Sequence, residues 1–336
     1  MRIAVVVSGG VTETVQATPL LRTLRAASPE AQITLIYPRA AASVADGVGG
    51  VEELVGLRSL DGHRRLRPLA PVWLALRRRR LEAVLICGRR PCLRAAAYLA
   101  GVPERIGPGG GTTSLLLTAR PHAAPGENDA PTWLRMAAVL GHAVQIHNAS
   151  LEPGPEARRD AERLLEETGL VDGRLLIALA PGEGAAEPKR DGRAQTAWDP
   201  QRWALLANGL ARRQGAGIVL LGNADDRAVI DQMMLDLGVS VADLSGEHDL
   251  RVVAGILARC DLFVGADGPL LHLAGAVGTP AVGLFGPTDG RARGPYGAGH
   301  RIIQAQTPAT NGDGPAGSHM DQIRVEDVLA GIEAGL

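Results

Sequence analysis

Residues 261–280 read DLFVGADGPLLHLAGAVGTP. An apolar run ends at Gly265, a short turn follows, and small and apolar residues of helix type fill 270–277. A buried strand that enters a turn and then a helix is the repeating unit of a parallel α/β sheet. In open sheets of this kind, ligands sit at the carboxyl ends of the strands. Free backbone N–H groups at the helix start, helped by the helix dipole, suit a phosphate. Gly268 lets the backbone approach closely, and the amides of Gly268 and Leu270 are the candidate donors. Asp267 is an acid where an anion should bind, so it reads as a helix cap or loop organiser. Taken alone, this pattern fits structural packing as well as it fits a ligand site.

The alternation extends in both directions. Strand-type runs fall at 2–7, 32–37, 83–87, 175–180, 217–221, 261–264 and 281–285. Helix-type runs fall at 14–27, 91–100, 131–140, 156–168, 200–214, 225–237, 250–259, 270–277 and 325–334. The strands are nearly all apolar, as expected when helices cover both faces of a sheet. The pattern also restarts. Strand 2–7 runs into Ser8, Gly9 and Gly10; after the Pro/Gly-rich stretch 151–155, strand 175–180 runs into Pro181 and Gly182. Two Rossmann-like domains, 1–150 and 151–320, are expected, with 321–336 a terminal helix packing back on the first. The Gly- and Pro-rich stretch 308–319 reads as a surface loop.

Composition agrees with a soluble globular chain: 336 residues, 46% hydrophobic and 21% charged. The three cysteines, Cys87, Cys92 and Cys260, have no metal-ligand spacing and suggest no disulfide framework. The first apolar run is too short for a signal peptide, and no stretch reaches the roughly 18 residues of a spanning helix. A cytoplasmic protein is expected. Residues 1–150 carry 18 Arg against 10 acids; 151–336 carry 17 Lys+Arg against 26 acids. The basic first half suits an acidic partner such as a phosphorylated glycan, a membrane surface or nucleic acid, or is simply a set of solvated faces. The run Arg77 to Arg80 has the same two readings. No Walker A motif, zinc-finger spacing or D-x-D-type acidic motif occurs, so no metal is expected.

The next block narrows the reading. Residues 281–289 read AVGLFGPTD and 294–297 read GPYG. Together with the first block they closely resemble the donor-site signature of glycosyltransferase family 9, which includes the ADP-heptose:lipopolysaccharide heptosyltransferases. That signature runs D-S-G-P-x-H-L-A, G-T-P, F/Y-G-P-T-D, then P-Y-G or G-Y-G. Asp267, His272, Leu273, Ala274, Gly278 to Pro280, Phe285 to Asp289 and Pro295 to Gly297 fall in register with it. Near the start the family has G-x-x-G-D with a proline six residues after the acid; here Glu13 precedes Pro19 at that interval. Segments 101–107, 133–141 and 244–246 also resemble the family, so the likeness covers nearly the whole chain.

The resemblance implies a GT-B fold: α/β, two Rossmann-like domains with parallel sheets facing a central cleft, the donor held mainly by the second. It implies inverting transfer of a heptose or related sugar from a nucleotide diphosphate donor, ADP-heptose first, to a glycan such as the lipopolysaccharide inner core. An acidic glycan or glycolipid acceptor is the expected partner and nucleic acid is not. Contact with the inner membrane face through the basic half goes with it. No cofactor beyond the donor substrate is implied. Transfer to a small natural product, or noncatalytic binding of a nucleotide sugar or glycan, are the alternatives.

Inversion needs a base for the acceptor proton and stabilisation of the departing diphosphate. The family's base is an Asp; Glu13 stands there, one methylene longer, and equally suits a helix first turn. The family's lysine before Trp-Pro is replaced by Ala197 before Trp198. The chain's one lysine, Lys189, lies in the same loop and is the candidate catalytic cation, with Arg193 beside it; both also read as exposed loop charges. Ser8, Gly9, Gly10, Gly182, Asp226, Asp267, Gly268, Leu270, His272 and Thr288 complete the expected donor site. Asp226, or its neighbour Asp225, suits the ribose hydroxyls or a helix start. His272 suits phosphate, acceptor or helix packing. Pro269 replaces a family glycine and removes one amide donor.

Overall fold

A computed structural model describes residues 1–61, 69–170, 174–183, 197–305 and 320–333. The chain divides into two compact units, Met1–Glu152 and Pro153–Leu336. In the first, β1 (Arg2–Val7), α1 (Val11–Gln16), α2 (Thr18–Ala27), β2 (Gln32–Pro38), α3 (Ala42–Ala45) and β3 (Glu53–Leu57) come first. Then follow α4 (Leu69–Arg77), β4 (Ala83–Cys87), α5 (Pro91–Leu99), β5 (Glu104–Ile106) and α6 (Asp129–Val139). The strands form a parallel sheet in the order β3-β2-β1-β4-β5.

The second unit begins with α7 (Pro155–Glu167), β6 (Leu176–Ala180), α8 (Pro200–Gln214), β7 (Gly217–Leu220) and α9 (Arg227–Leu235). It continues through β8 (Ala242–Asp243), α10 (Leu250–Leu257), β9 (Leu262–Ala266) and α11 (Pro269–Ala276). It closes with β10 (Ala281–Phe285), α12 (Gly290–Arg293), β11 (His300–Gln304) and α13 (Val325–Glu333). Its parallel sheet runs β11-β10-β9-β6-β7-β8. Numbered within the unit this is order 6-5-4-1-2-3, the dinucleotide-fold order read from the other edge. The restart read in the sequence is therefore a repeated topology.

The interior strands β1, β2, β4, β6, β7, β9 and β10 lie where the apolar runs put them, within a residue or two. Four strands were not anticipated: β3, β5, β8 and β11. They are the four sheet edges. Edge strands keep one side in water, so they carry no continuous apolar run; β3 is ELVGL and β11 is HRIIQ, both only partly buried. The single helix read at 14–27 is two, α1 and α2, meeting at Ala17, with Pro19 in the first turn of α2. A proline is at home there and not in a helix middle.

Each unit has its own core. The first packs Ala4, Val6, Ile36, Val84 and Ile86 against Val72, Leu76 and Leu93 of α4 and α5. The second packs Ile177, Leu179, Ile218, Val264 and Leu284 against Trp203 and Leu206 of α8. The terminal helix, expected to pack on the first domain, sets Val328, Leu329 and Ile332 into this second core. The chain holds the preceding turn there as well, since Trp198 Nε1 donates to the Ile323 carbonyl at 3.0 Å.

Candidate active site

Register decides which residues meet. Ala180 of β6 pairs with Gly265 of β9, and Ala266 with Leu284 of β10. The turns after these strands therefore leave one edge of the sheet side by side. They carry Gly182 and Glu183 after β6, Asp267 and Gly268 after β9, and Thr288 after β10. The turn after β7 brings Asp226 to the same edge. So the second unit gathers six expected or neighbouring site positions, drawn from across more than 100 residues of chain, by sheet topology alone.

The charges there are paired in ways that sequence spacing does not reveal. Asp267 Oδ2 accepts from Arg293 Nε at 2.7 Å, and its side chain is 7% exposed. The pair ties the turn after β9 to α12. His272, on the buried side of α11, is 2% exposed and hydrogen-bonded to the Arg293 backbone. Burial pulls its imidazole down to about 4, with Asp267 opposing and Arg293 and His300 assisting. The carboxylate of Asp226, expected to face a ribose, is turned inward. It is 3% exposed, and its Oδ2 accepts from Asn223 N at 2.8 Å in a capping box. Burial raises its pKa, and the Asn223 amide opposes the rise. Gly182 is required beneath it, because a Cβ at that position would lie 2.2 Å from the Asp226 Cβ. The neighbouring Asp225 is exposed.

The residue that sequence reading missed is Glu183. It is 7% exposed, and its Oε1 accepts from the Leu270 N–H at 2.5 Å. The amide expected for phosphate is thus engaged by the chain's own carboxyl. Burial drives the Glu183 pKa well above the carboxylate range; the Leu270 amide opposes this, and the charges of Asp226 and Asp267 reinforce it. Gly268 caps α11 at φ −159°, ordinary extended backbone, so its lack of a side chain matters for space alone. Pro269 is the first residue of α11, where a missing N–H costs the helix nothing. The Thr288 hydroxyl is buried with no hydrogen-bond partner. Lys189 and Arg193 lie outside the described residues.

In the first unit, Val7 of β1 pairs with Cys87 of β4, so Ser8 and Gly88 leave the sheet together. The Ser8 hydroxyl donates to the Cys87 carbonyl at 3.3 Å. Gly10 caps α1, and its carbonyl accepts from the Thr14 N–H and hydroxyl. Glu13 sits in the first turn of α1, half-buried, with its carboxyl folded over Gly9. Among the described residues no group of acids, histidines and cysteines is arranged to hold a metal.

His272 makes acid sensitivity testable. Between its unfolded value of 6.5 and about 4, the unfolded chain takes up a proton that the folded chain refuses. Stability is therefore undiminished above pH 6.5 and falls as pH drops toward 4, by roughly 3 kcal/mol. His272→Gln is expected to flatten the decline of the denaturant midpoint between pH 7 and 4.5. Parallel curves for parent and variant would exclude this imidazole as the group that acid attacks.

Comparison with known proteins agrees with this geometry. The model for Glycosyltransferase family 9 (heptosyltransferase) matches residues 93–313. Lipooligosaccharide heptosyltransferase 2 of Haemophilus influenzae is 26% identical over 54% of this chain, and the match spans 52% of that protein. Lipopolysaccharide heptosyltransferase 2 of Salmonella typhimurium is 24% identical over 97% of this chain and 95% of its own length. The solved structure of the E. coli ADP-heptose lps heptosyltransferase II is 21% identical and superposes with a TM-score of 0.75, covering 99% of this chain and 98% of that one. The likeness fixes the fold class as GT-B, with two parallel-sheet α/β units.

Proposed function

The chain belongs to glycosyltransferase family 9, the heptosyltransferase family, and from that premise we propose that it moves a heptose from ADP-heptose onto an acidic glycan of the lipopolysaccharide inner-core type. One observation carries the reading. The in-register donor signature of 267–297 is gathered at the carboxyl edge of the second sheet, around the start of α11. The names of the full-length relatives point to heptose as the sugar and lipopolysaccharide as the acceptor.

In the proposed reaction an acceptor hydroxyl oxygen attacks the anomeric carbon as the bond from that carbon to the diphosphate oxygen breaks. The hydroxyl proton passes to the Glu13 carboxylate, and the configuration inverts. The leaving diphosphate is stabilised by the Gly268 and Leu270 amides and the unpartnered Thr288 hydroxyl. Lys189 or Arg193 supplies a cation. Asp225, exposed beside the buried Asp226, takes the ribose hydroxyls. The basic residues 1–150 suit an acceptor bearing phosphate or carboxylate and work at the cytoplasmic face of a membrane. No helix among the described residues is long and apolar enough to cross one.

A calorimetric comparison of ADP, GDP, UDP and dTDP, followed by transfer from ADP-heptose to a heptose-bearing core acceptor, tests the proposal. ADP is expected to bind tightest and heptose to be transferred. Tighter binding of another diphosphate, or transfer of a different sugar only, would replace the donor assignment.

A further inference from the structure

Glu183 is an expensive residue to keep where it is. Its Oε1 takes the Leu270 N–H, but its Oε2 is buried with no hydrogen-bond partner. Two further acids, Asp226 and Asp267, lie near enough to act on its charge. An unsatisfied buried carboxyl destabilises a fold, and a small apolar side chain would fill the space without that cost. The surroundings are nevertheless shaped for it. A Cβ on Gly268 would lie 2.5 Å from Oε1, and a Cβ on Gly265 would meet Oε2 at 2.8 Å as well as the Phe263 ring at 2.6 Å. The carboxyl therefore lies in a seat left open by two glycines at the first free amide of α11. A helix start of this kind suits an anion, and the carboxyl now seated there belongs to the chain.

We infer that Glu183 is a built-in competitor for the donor diphosphate, filling the anion seat at the start of α11 until the diphosphate displaces it. The inference rests on the reading of α11 as the donor site. A phosphate oxygen and Oε1 cannot both take the Leu270 N–H in this place. Donor binding is then an exchange of the chain's own carboxyl for a phosphate, and its affinity is set in part by the ease with which Glu183 leaves.

The exchange has a pH signature. The groups acting on the seated carboxyl are Asp226 in the turn after β7 and Asp267 in the turn after β9, with Arg293 of α12 upon the latter, and the backbone amides of Leu270 and Leu271. The acids oppose a negative charge at Glu183, so the seated carboxyl holds its proton. Once displaced into water it ionises. Donor binding releases that proton, and affinity rises with pH from the ordinary carboxylate range up to the raised value of the seated group.

Isothermal calorimetry of the parent, Glu183→Ala and Glu183→Gln tests this with ADP and inorganic pyrophosphate from pH 5.5 to 8. Each protein's melting temperature is checked first. Glu183→Ala empties the seat and is expected to bind both probes about tenfold tighter at the acid end. Its advantage over the parent narrows as pH rises. Glu183→Gln keeps an oxygen on the Leu270 amide without a titrating group, so it stays weak and its deficit does not narrow. The ionisation of the probes is common to all three proteins and cancels in the comparison. Equal or weaker binding by Glu183→Ala would mean that Glu183 merely supports the loop, and would overturn the inference. Tighter pyrophosphate binding by Glu183→Ala, with ADP bound by none of the proteins, would keep the inference and discard the nucleotide-donor reading. Failure of all three to bind either probe would overturn both.

Discussion

Glu13→Gln is expected to bind donor like the parent and to turn over about 10²- to 10⁴-fold more slowly. The substitution keeps the shape of the side chain and removes only its capacity to take a proton. The groups proposed to hold the diphosphate, the Gly268 and Leu270 amides and the Thr288 hydroxyl, are left as they are, so donor affinity is expected to stay close to the parent's. The family pattern has the shorter Asp here. Glu13→Asp keeps a proton acceptor but draws it back by a methylene, so its rate should fall between those of the parent and the Gln variant. Single-turnover kinetics with saturating donor separate the chemical step from binding. Equal single-turnover rates for parent and Glu13→Gln would remove Glu13 from the reaction. A parallel loss of donor affinity would instead give it a binding role.

What could be read from the sequence was whatever a local pattern records. Interior strands such as AVLIC at β4 and LFVGA at β9 are short runs, apolar on both faces and bounded by turn residues, which read as buried strands. Their order fixed which turns share a sheet edge, and so the positions of Gly182, Asp267 and Thr288. The edges β3, β5, β8 and β11 could not be found in this way, because their pattern depends on which side faces water. Polar pairing was less legible still. Leu270 and Glu183 meet across 87 residues, and Asp267 and Arg293 across 26. In a Pro-Gly-Glu turn a glutamate looks like a solvated loop charge, and only the neighbouring strands show that it is enclosed. Asp226 illustrates the limit well: its place after β7 was evident, but the direction of its carboxylate depended on the Asn223 amide.

Gly9→Ala is expected to lower turnover about 10²-fold while leaving the protein folded. A Cβ on Gly9 would lie 2.0 Å from the Glu13 Cδ and 2.3 Å from each carboxyl oxygen. The three nearest atoms are all at the end of this one flexible side chain, and the Gly9 φ lies outside the region that favours glycine. Alanine is thus acceptable to the backbone and intolerable only to the carboxyl, which must swing away by more than an ångström. A base misplaced by that distance loses most of its advantage, because proton transfer depends on hydrogen-bond contact with the attacking hydroxyl. The effect should therefore vanish when there is no base to misplace. Gly9→Ala added to Glu13→Gln should cost little beyond Glu13→Gln alone, since the two substitutions remove the same function. If the losses multiply, Gly9 serves the reaction by a route independent of Glu13. An unaffected rate in Gly9→Ala would mean that the folded-over position of the Glu13 carboxyl is not the one from which it acts.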